Sequence, residues 1–180
     1  MAFWTNLLGY QATWFTVVWS AGHGRAWIGM LACVAFIAWQ LSASRTRVPD
    51  VRVLFAALAC GCVIEGLAAS TGLLHYASPK PALLAIPVWI LLLWGAFAMT
   101  LNHSMRWFAQ RPWPAATFAA IGGPLAYLAA ARTFGGVAFP RPAWPTLLWL
   151  AAGWGVALPI LLSVARRPTH VRSARRRFQA

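Results

Sequence analysis

The chain has 180 residues, of which 61% are apolar and only 9% charged, with a formal net charge of +13. Soluble domains carry about 25% charged residues, whereas the mean hydropathy here is +0.64. Too few polar groups exist to cover a water-facing surface. This excludes an ordinary soluble domain, and the length suits one compact bundle rather than two domains.

Six apolar segments follow in chain order: residues 3–20, 26–41, 53–74, 83–101, 114–131 and 144–165. A helix needs about 20 residues to cross a 30 Å hydrocarbon core, and backbone groups cannot stay unpaired in lipid. The prediction is an all-α fold: a polytopic transmembrane helical bundle of about six spans. The second span is short and is accommodated by tilt or bilayer thinning. Residues 1–165 form this single domain, and 166–180 form a basic tail. Met1-Ala-Phe-Trp-Thr lacks a basic leader, and no small-residue cleavage site follows a short apolar core. The first span is therefore expected to stay in the mature protein.

The connections are short. Ala21-Gly-His-Gly-Arg25 turns tightly, residues 42–52 form an arginine-rich loop, and Pro79 and Pro81 bracket a turn after His75. Pro112 and Pro114 fit the first turn of a fifth helix. With six spans, one side carries Arg45, Arg47, Arg52, Arg106, Arg111, Arg166, Arg167, Arg172, Arg175, Arg176 and Arg177. The other carries Arg25, Lys80, Arg132 and Arg141, so the 15 cations divide eleven to four. This bias predicts that both termini are cytoplasmic. Twelve tryptophans, several flanking the apolar runs, fit the headgroup level.

The positive charge is spread along a membrane rim. No aromatic-interleaved basic module accompanies it, so no nucleic-acid partner is expected. The tail from Arg166 to Arg177 is expected to lie on anionic headgroups, each arginine contributing about 1 kcal/mol near the surface. Cys33, Cys60 and Cys62 all fall inside predicted helices and read as small apolar packing residues. Cys60 and Cys62 point to different sides of a helix, so no metal pair and no disulfide framework are implied. There are no paired carboxylates, no His-rich pattern, no nucleophile elbow and no phosphate loop, and no cofactor is expected.

Candidate chemistry rests on the few polar groups in the spans. Only two acidic residues occur. Asp50, in the arginine-rich loop, reads as solvated. Glu65 lies twelve residues past Val53, about 18 Å along a helix, near mid-membrane or slightly toward the outer half. A carboxylate there costs about 2.5–3.5 kcal/mol on insertion scales, so it needs protonation, a wet cavity or a partner. Glu65 is the first candidate for a catalytic role, and its ordinary reading is an interhelical packing contact. His103, in Thr100-Leu-Asn102-His103-Ser104, is the second candidate for a direct chemical role, and it is also at home at the negative end of a helix. Asn102 and His103 point about 100° apart on a helix and are expected to serve different neighbours. Asn6 and Gln11 lie on the first helix, and Gln11 needs a partner within the bundle. Tyr127 reaches a depth similar to Glu65, which makes a Tyr127–Glu65 hydrogen bond feasible. Gln11, Asn102 and Tyr127 are the candidate substrate-binding residues. Gly122-Gly-Pro124 kinks the fifth helix and either packs closely or leaves room for a ligand.

The pattern Asn6…Gly9-Tyr-Gln11…Trp14, an acid in the third helix, Pro87-Val-Trp89…Trp94…Thr100-Leu-Asn-His-Ser104 and Gly122-Gly-Pro124…Tyr127 resembles a bacterial membrane family catalogued as domain of unknown function 2878. The resemblance runs to about Arg132, and the family often has Asp where this chain has Glu65. It implies a multi-pass protein of the bacterial inner (cytoplasmic) membrane, encoded near lipid-modifying enzymes such as methyltransferases similar to cyclopropane fatty acid synthases. It implies no residue roles.

Three functions fit these residues. The first is processing, binding or presenting a membrane lipid through a polar interior of Gln11, Glu65, Asn102, His103 and Tyr127. The second is a small proton-coupled carrier, which at this size would assemble as a homo-oligomer. The third is a non-catalytic membrane subunit that recruits a lipid-modifying enzyme partner through its basic loops and tail.

Overall fold

The structure, a computed structural model, describes residues 3–45, 47–83 and 85–166. Six α-helices form among them: α1 (Phe3–Gly22), α2 (Ala26–Ala43), α3 (Arg47–Ser70), α4 (Val88–Leu101), α5 (Pro112–Ala129) and α6 (Trp144–Arg166). Two-residue strands occupy the links: β1 (His75–Tyr76), β2 (Ala82–Leu83), β3 (Ile86–Pro87) and β4 (Val137–Ala138). β1 pairs antiparallel with β4, and β2 with β3. The helical expectation holds, and four helices, α2, α3, α6 and α5 with its extension to Phe134, are long and apolar enough to cross a membrane. Residues 167–180, with the arginine tail, lie outside the described residues.

α4 is the hub. It is apolar around its whole circumference, and all its residues except Val88 and Leu92 are buried, as expected for a helix with no polar face. It packs against α1, α2, α3 and α6. The remaining contacts close most of a ring, with α1 on α2, α3 on α6, and α6 on α5. α1 and α5 make no substantial contact with each other along their length. The ring helices turn large apolar side chains outward, among them Leu31, Phe55, Ile121, Leu125 and Leu148. Exposed apolar surface on this scale belongs against lipid or a partner.

The fourth segment differs from the sequence expectation. β2 and β3, residues 82–83 and 86–87, pair antiparallel, and the helix starts only at Val88. Pro87 takes the N-cap with extended backbone, and Ala85 has φ 65°, so the chain turns rather than winding. The 14 residues of α4 rise only about 21 Å. The strand hairpins therefore cap one end of the bundle. We call this the strand end. The opposite end carries Arg45, Arg47, Arg52, Arg106, Arg111 and Arg166, and we call it the arginine end.

Two indoles stack at the centre. Trp94 of α4 and Trp154 of α6 have ring centroids 4.1 Å apart and planes within 14°. Glycines on neighbouring helices seat them. A Cβ on Gly61 would lie 2.8 Å from Trp94, and one on Gly123 would lie 2.6 Å from Trp154. Gly123 of the Gly-Gly-Pro step thus serves close packing. Gly123→Ala should lower stability by about 1–3 kcal/mol, the usual range for overpacking a filled core. Thermal unfolding in detergent checks this.

Candidate functional site

The strand-end half of the bundle holds Glu65, whose side chain is completely buried. It lies five residues before Ser70, the last residue of α3. That is about 8 Å from the helix end, on the strand-end side of the helix midpoint. Three donors converge on it. Trp94 Nε1 donates to Oε1 at 2.8 Å, and the Tyr76 hydroxyl donates to Oε2 at 2.6 Å. The Tyr127 hydroxyl also donates to Oε1. The Tyr127–Glu65 bond expected from helix depth is therefore present. One carboxyl ties α3, α4, α5 and β1 together. Burial, and then the Glu65 carboxyl beside it, push the Tyr76 phenol well above its ordinary range. Tyr76 therefore stays protonated and remains a donor.

The arginine end holds a second knot, and here two expectations are corrected. Asp50 is not solvated: it is 1% exposed. α3 begins at Arg47 rather than near Val53, which puts Asp50 in its first turn, where a carboxylate complements the helix dipole. The Ser44 hydroxyl, at the C-cap of α2, donates to Asp50. Asn102 Nδ2 donates to Oδ1 at 2.7 Å, and His103 Nε2 lies 3.4 Å from Oδ2. Asn102 and His103 therefore serve the same neighbour. Their expected 100° separation assumed a continuing helix, but α4 ends at Leu101 and both residues sit in the turn that follows. Ser104 completes this corner by donating its hydroxyl and its backbone N–H to Asn6 Oδ1 at 2.6 and 3.2 Å. Asn6 Nδ2 in turn donates to the Met99 carbonyl at 3.0 Å. The Thr-Leu-Asn-His-Ser motif is a clamp that binds the starts of α1 and α3 and the end of α2 to the end of α4.

The candidate residues therefore form two groups. Glu65 and Tyr127 meet at one end, and Asn102 and His103 meet on Asp50 at the other. Asp50 and Glu65 are 15 residues apart on one helix, about 22 Å. Gln11 joins neither group. It is exposed on α1 and lines a cavity.

That cavity, of about 270 Å³, fills the gap between α1 and α5. Tyr10, Gln11 and Trp14 line its α1 side, and Gly122, Ala126 and Tyr127 its α5 side. Its floor is α4 and α6, including Trp94, Phe97 and Trp154. Toward the strand end the Phe134 ring packs on α1, 6.4 Å from that of Trp14 and 6.0 Å from that of Phe15. The walls are almost wholly apolar, and Gln11 and the phenols of Tyr10 and Tyr127 are among the few polar groups on them. A Cβ on Gly122 would meet nothing within 4 Å. The Gly-Gly step thus does both things open to it, Gly123 packing and Gly122 leaving space. Trp154 lines the cleft, and its buried indole N–H lies beside the Tyr127 phenol. Glu65 does not line the cleft. It stands behind Trp94 and Tyr127, which do, and holds both.

A family model described as a protein of unknown function (DUF2878) matches residues 3–160. The chain belongs to that family. The DUF2878 match covers both carboxylate knots and every cleft residue, and ends before Arg166. No curated protein and no solved structure matches the chain. Among the described residues no group of three or more His, Cys, Asp or Glu side chains is placed to hold a metal ion, and all three cysteines are free.

Sequence reasoning missed four participants: Asp50, Ser44, Tyr76 and Trp94. For Asp50 a signal existed. Pro49-Asp50 is a helix-start pair, proline being tolerated only in a first turn and Asp favoured there. For Tyr76 and Trp94 no periodic signal exists. Tyr76 follows the helix end, and nothing marks out one Trp among twelve.

Proposed function

We propose that this protein is a multi-pass membrane protein that binds a membrane lipid by its chain in the cleft between α1 and α5 and presents it there. In this reading all six helices cross the bilayer, α4 completed by the strand hairpins. The arginine end and both termini face the cytoplasm of a bacterial inner membrane, in keeping with the eleven-to-four division of cations. The observation that carries the proposal is the cleft itself. It is an apolar cavity between two helices that do not pack closely on each other, and it is flanked by exposed apolar side chains such as Ile121 and Leu125. A chain entering from the bilayer meets aromatic walls with few polar groups, among them Gln11 and the Tyr127 phenol. Gln11 at the rim is suited to a carbonyl or hydroxyl of the lipid, since an amide both donates and accepts, whereas Tyr127 within, its proton given to Glu65, is suited to accept from a hydroxyl. Glu65 acts as a positioning residue by fixing the Trp94 and Tyr127 walls.

Gly122→Leu tests this. The new side chain grows into the cleft with nothing else to displace. The purified variant, examined by native mass spectrometry, should lose the lipid that wild type carries while melting at an unchanged or higher temperature. Equal lipid occupancy in both proteins would refute the proposal.

A further inference from the structure

A second cavity, of about 290 Å³, lies at the arginine end and shares no lining residue with the cleft. Its walls come from four elements: Pro49 in the first turn of α3, Leu101 and Asn102 at the end of α4, Arg106 in the 3₁₀ turn Arg106–Gln110, and Ala165 and Arg166 at the end of α6. Two guanidinium groups, 60 residues apart in sequence, thus flank one hollow with an amide between them. No acidic side chain lines it.

These two arginines differ from others at the same end. Arg47 donates to the Ser42 carbonyl at 2.8 Å, and Arg111 stacks on Trp107 with its guanidinium 4.1 Å from the ring centroid. The side chains of Arg106 and Arg166 have neither an ion pair nor a hydrogen bond among the described residues. No spare acid exists to pair them. Glu65 is enclosed at the other end, and Asp50 is held by Ser44, Asn102 and His103 behind the cavity wall. Asn102 is fixed by its 2.7 Å bond to Asp50, so the cavity has one anchored polar group and two exposed cationic forks. Arginine forks match the oxygens of a phosphate two at a time.

We propose that this hollow is a binding site for a phosphate ester or phosphate ion, gripped by Arg106 and Arg166 and oriented by Asn102. It is separate from the cleft and stands whether or not the cleft holds a lipid chain. Its position at the edge of the bundle admits two sources of the same chemistry: the phosphate of a phospholipid headgroup, and a free phosphate from the aqueous side.

The experiment uses the full chain purified in an uncharged detergent without phosphate. Equilibrium dialysis measures inorganic phosphate binding. A second arm measures binding of phosphatidylglycerol doped into the micelles, against an uncharged glycolipid of the same chain length. Arg106→Gln and Arg166→Gln should each weaken binding about tenfold, as expected for losing a charge-assisted pair, and the double variant should abolish it. Arg45→Gln, which removes an exposed charge at the same end but not from the hollow, should change it little. Both cavity arginines are exposed, so the variants should fold, which matched melting curves verify. Inorganic phosphate binding lost in the double variant assigns a free phosphate source, and binding seen only with phosphatidylglycerol assigns the headgroup. Binding of neither probe, an undiminished double variant, or an equal loss in Arg45→Gln would each overturn the site.

Discussion

Glu65→Ala should be the most destabilising single substitution in this chain, at about 3–5 kcal/mol. Three donors lose their acceptor at once: the Trp94 indole N–H and the hydroxyls of Tyr76 and Tyr127. A buried donor left unpaired costs about 1–3 kcal/mol in proteins generally. Interhelical hydrogen bonds measured in a membrane protein average nearer 0.6 kcal/mol, which sets the lower end of the range. The vacated volume adds a cavity term. Glu65→Gln should fall between Ala and wild type, because the amide keeps one acceptor oxygen but turns an NH₂ toward a donor. Tyr76→Phe and Tyr127→Phe should each cost about 1 kcal/mol. Denaturation in detergent, followed by near-ultraviolet circular dichroism of the stacked indoles, reads these effects. A Glu65→Ala protein as stable as wild type would show that the cage contributes nothing to the fold.

The same cage links stability to the proposed lipid site. Trp94 and Tyr127 each have one side on the cleft and one polar atom on Glu65. Loosening Glu65 should therefore lower lipid occupancy indirectly, together with melting temperature. Gly122→Leu should lower occupancy alone. A group that touches the ligand and a group that holds the wall differ in this pairing of readouts.

Much of this arrangement was legible in the sequence, and the rest was hidden for identifiable reasons. Six apolar runs of roughly the right length gave the helices, since the lipid requirement for internal backbone pairing leaves little choice. Glu65 stood out because a lone acid in an apolar run must have a partner, and helix depth pointed to Tyr127. The failures share a cause, which is helix ends. Starting α3 late made Asp50 look like a loop residue, and continuing α4 past Leu101 sent Asn102 and His103 to different neighbours. Pro87 and the positive φ of Ala85 stop residues 82–87 from joining α4. The split into two knots about 22 Å apart depends on which helices pack together, and no spacing along a single chain encodes that.

Asp50→Ala is the companion expectation, with a loss of about 2–3 kcal/mol. The side chain lies nearer the bundle edge than Glu65, so its stranded partners recover some hydration, and the cost per donor is smaller. Part of the loss is electrostatic, since a carboxylate in the first turn of α3 meets the positive end of the helix dipole. Asp50→Asn keeps an oxygen for Asn102 or Ser44 but loses the charge facing His103, and should cost about half as much. The location of the damage is the sharper test. Hydrogen exchange should quicken at residues 100–106 and at the start of α3 in Asp50→Ala, and around residues 86–96 in Glu65→Ala. Because the two knots share no partner and sit far apart, the double variant should lose the sum of the single effects to within about 0.5 kcal/mol. A coupling well above that would mean that α3 transmits strain from one end to the other, and the two knots would then act as one site.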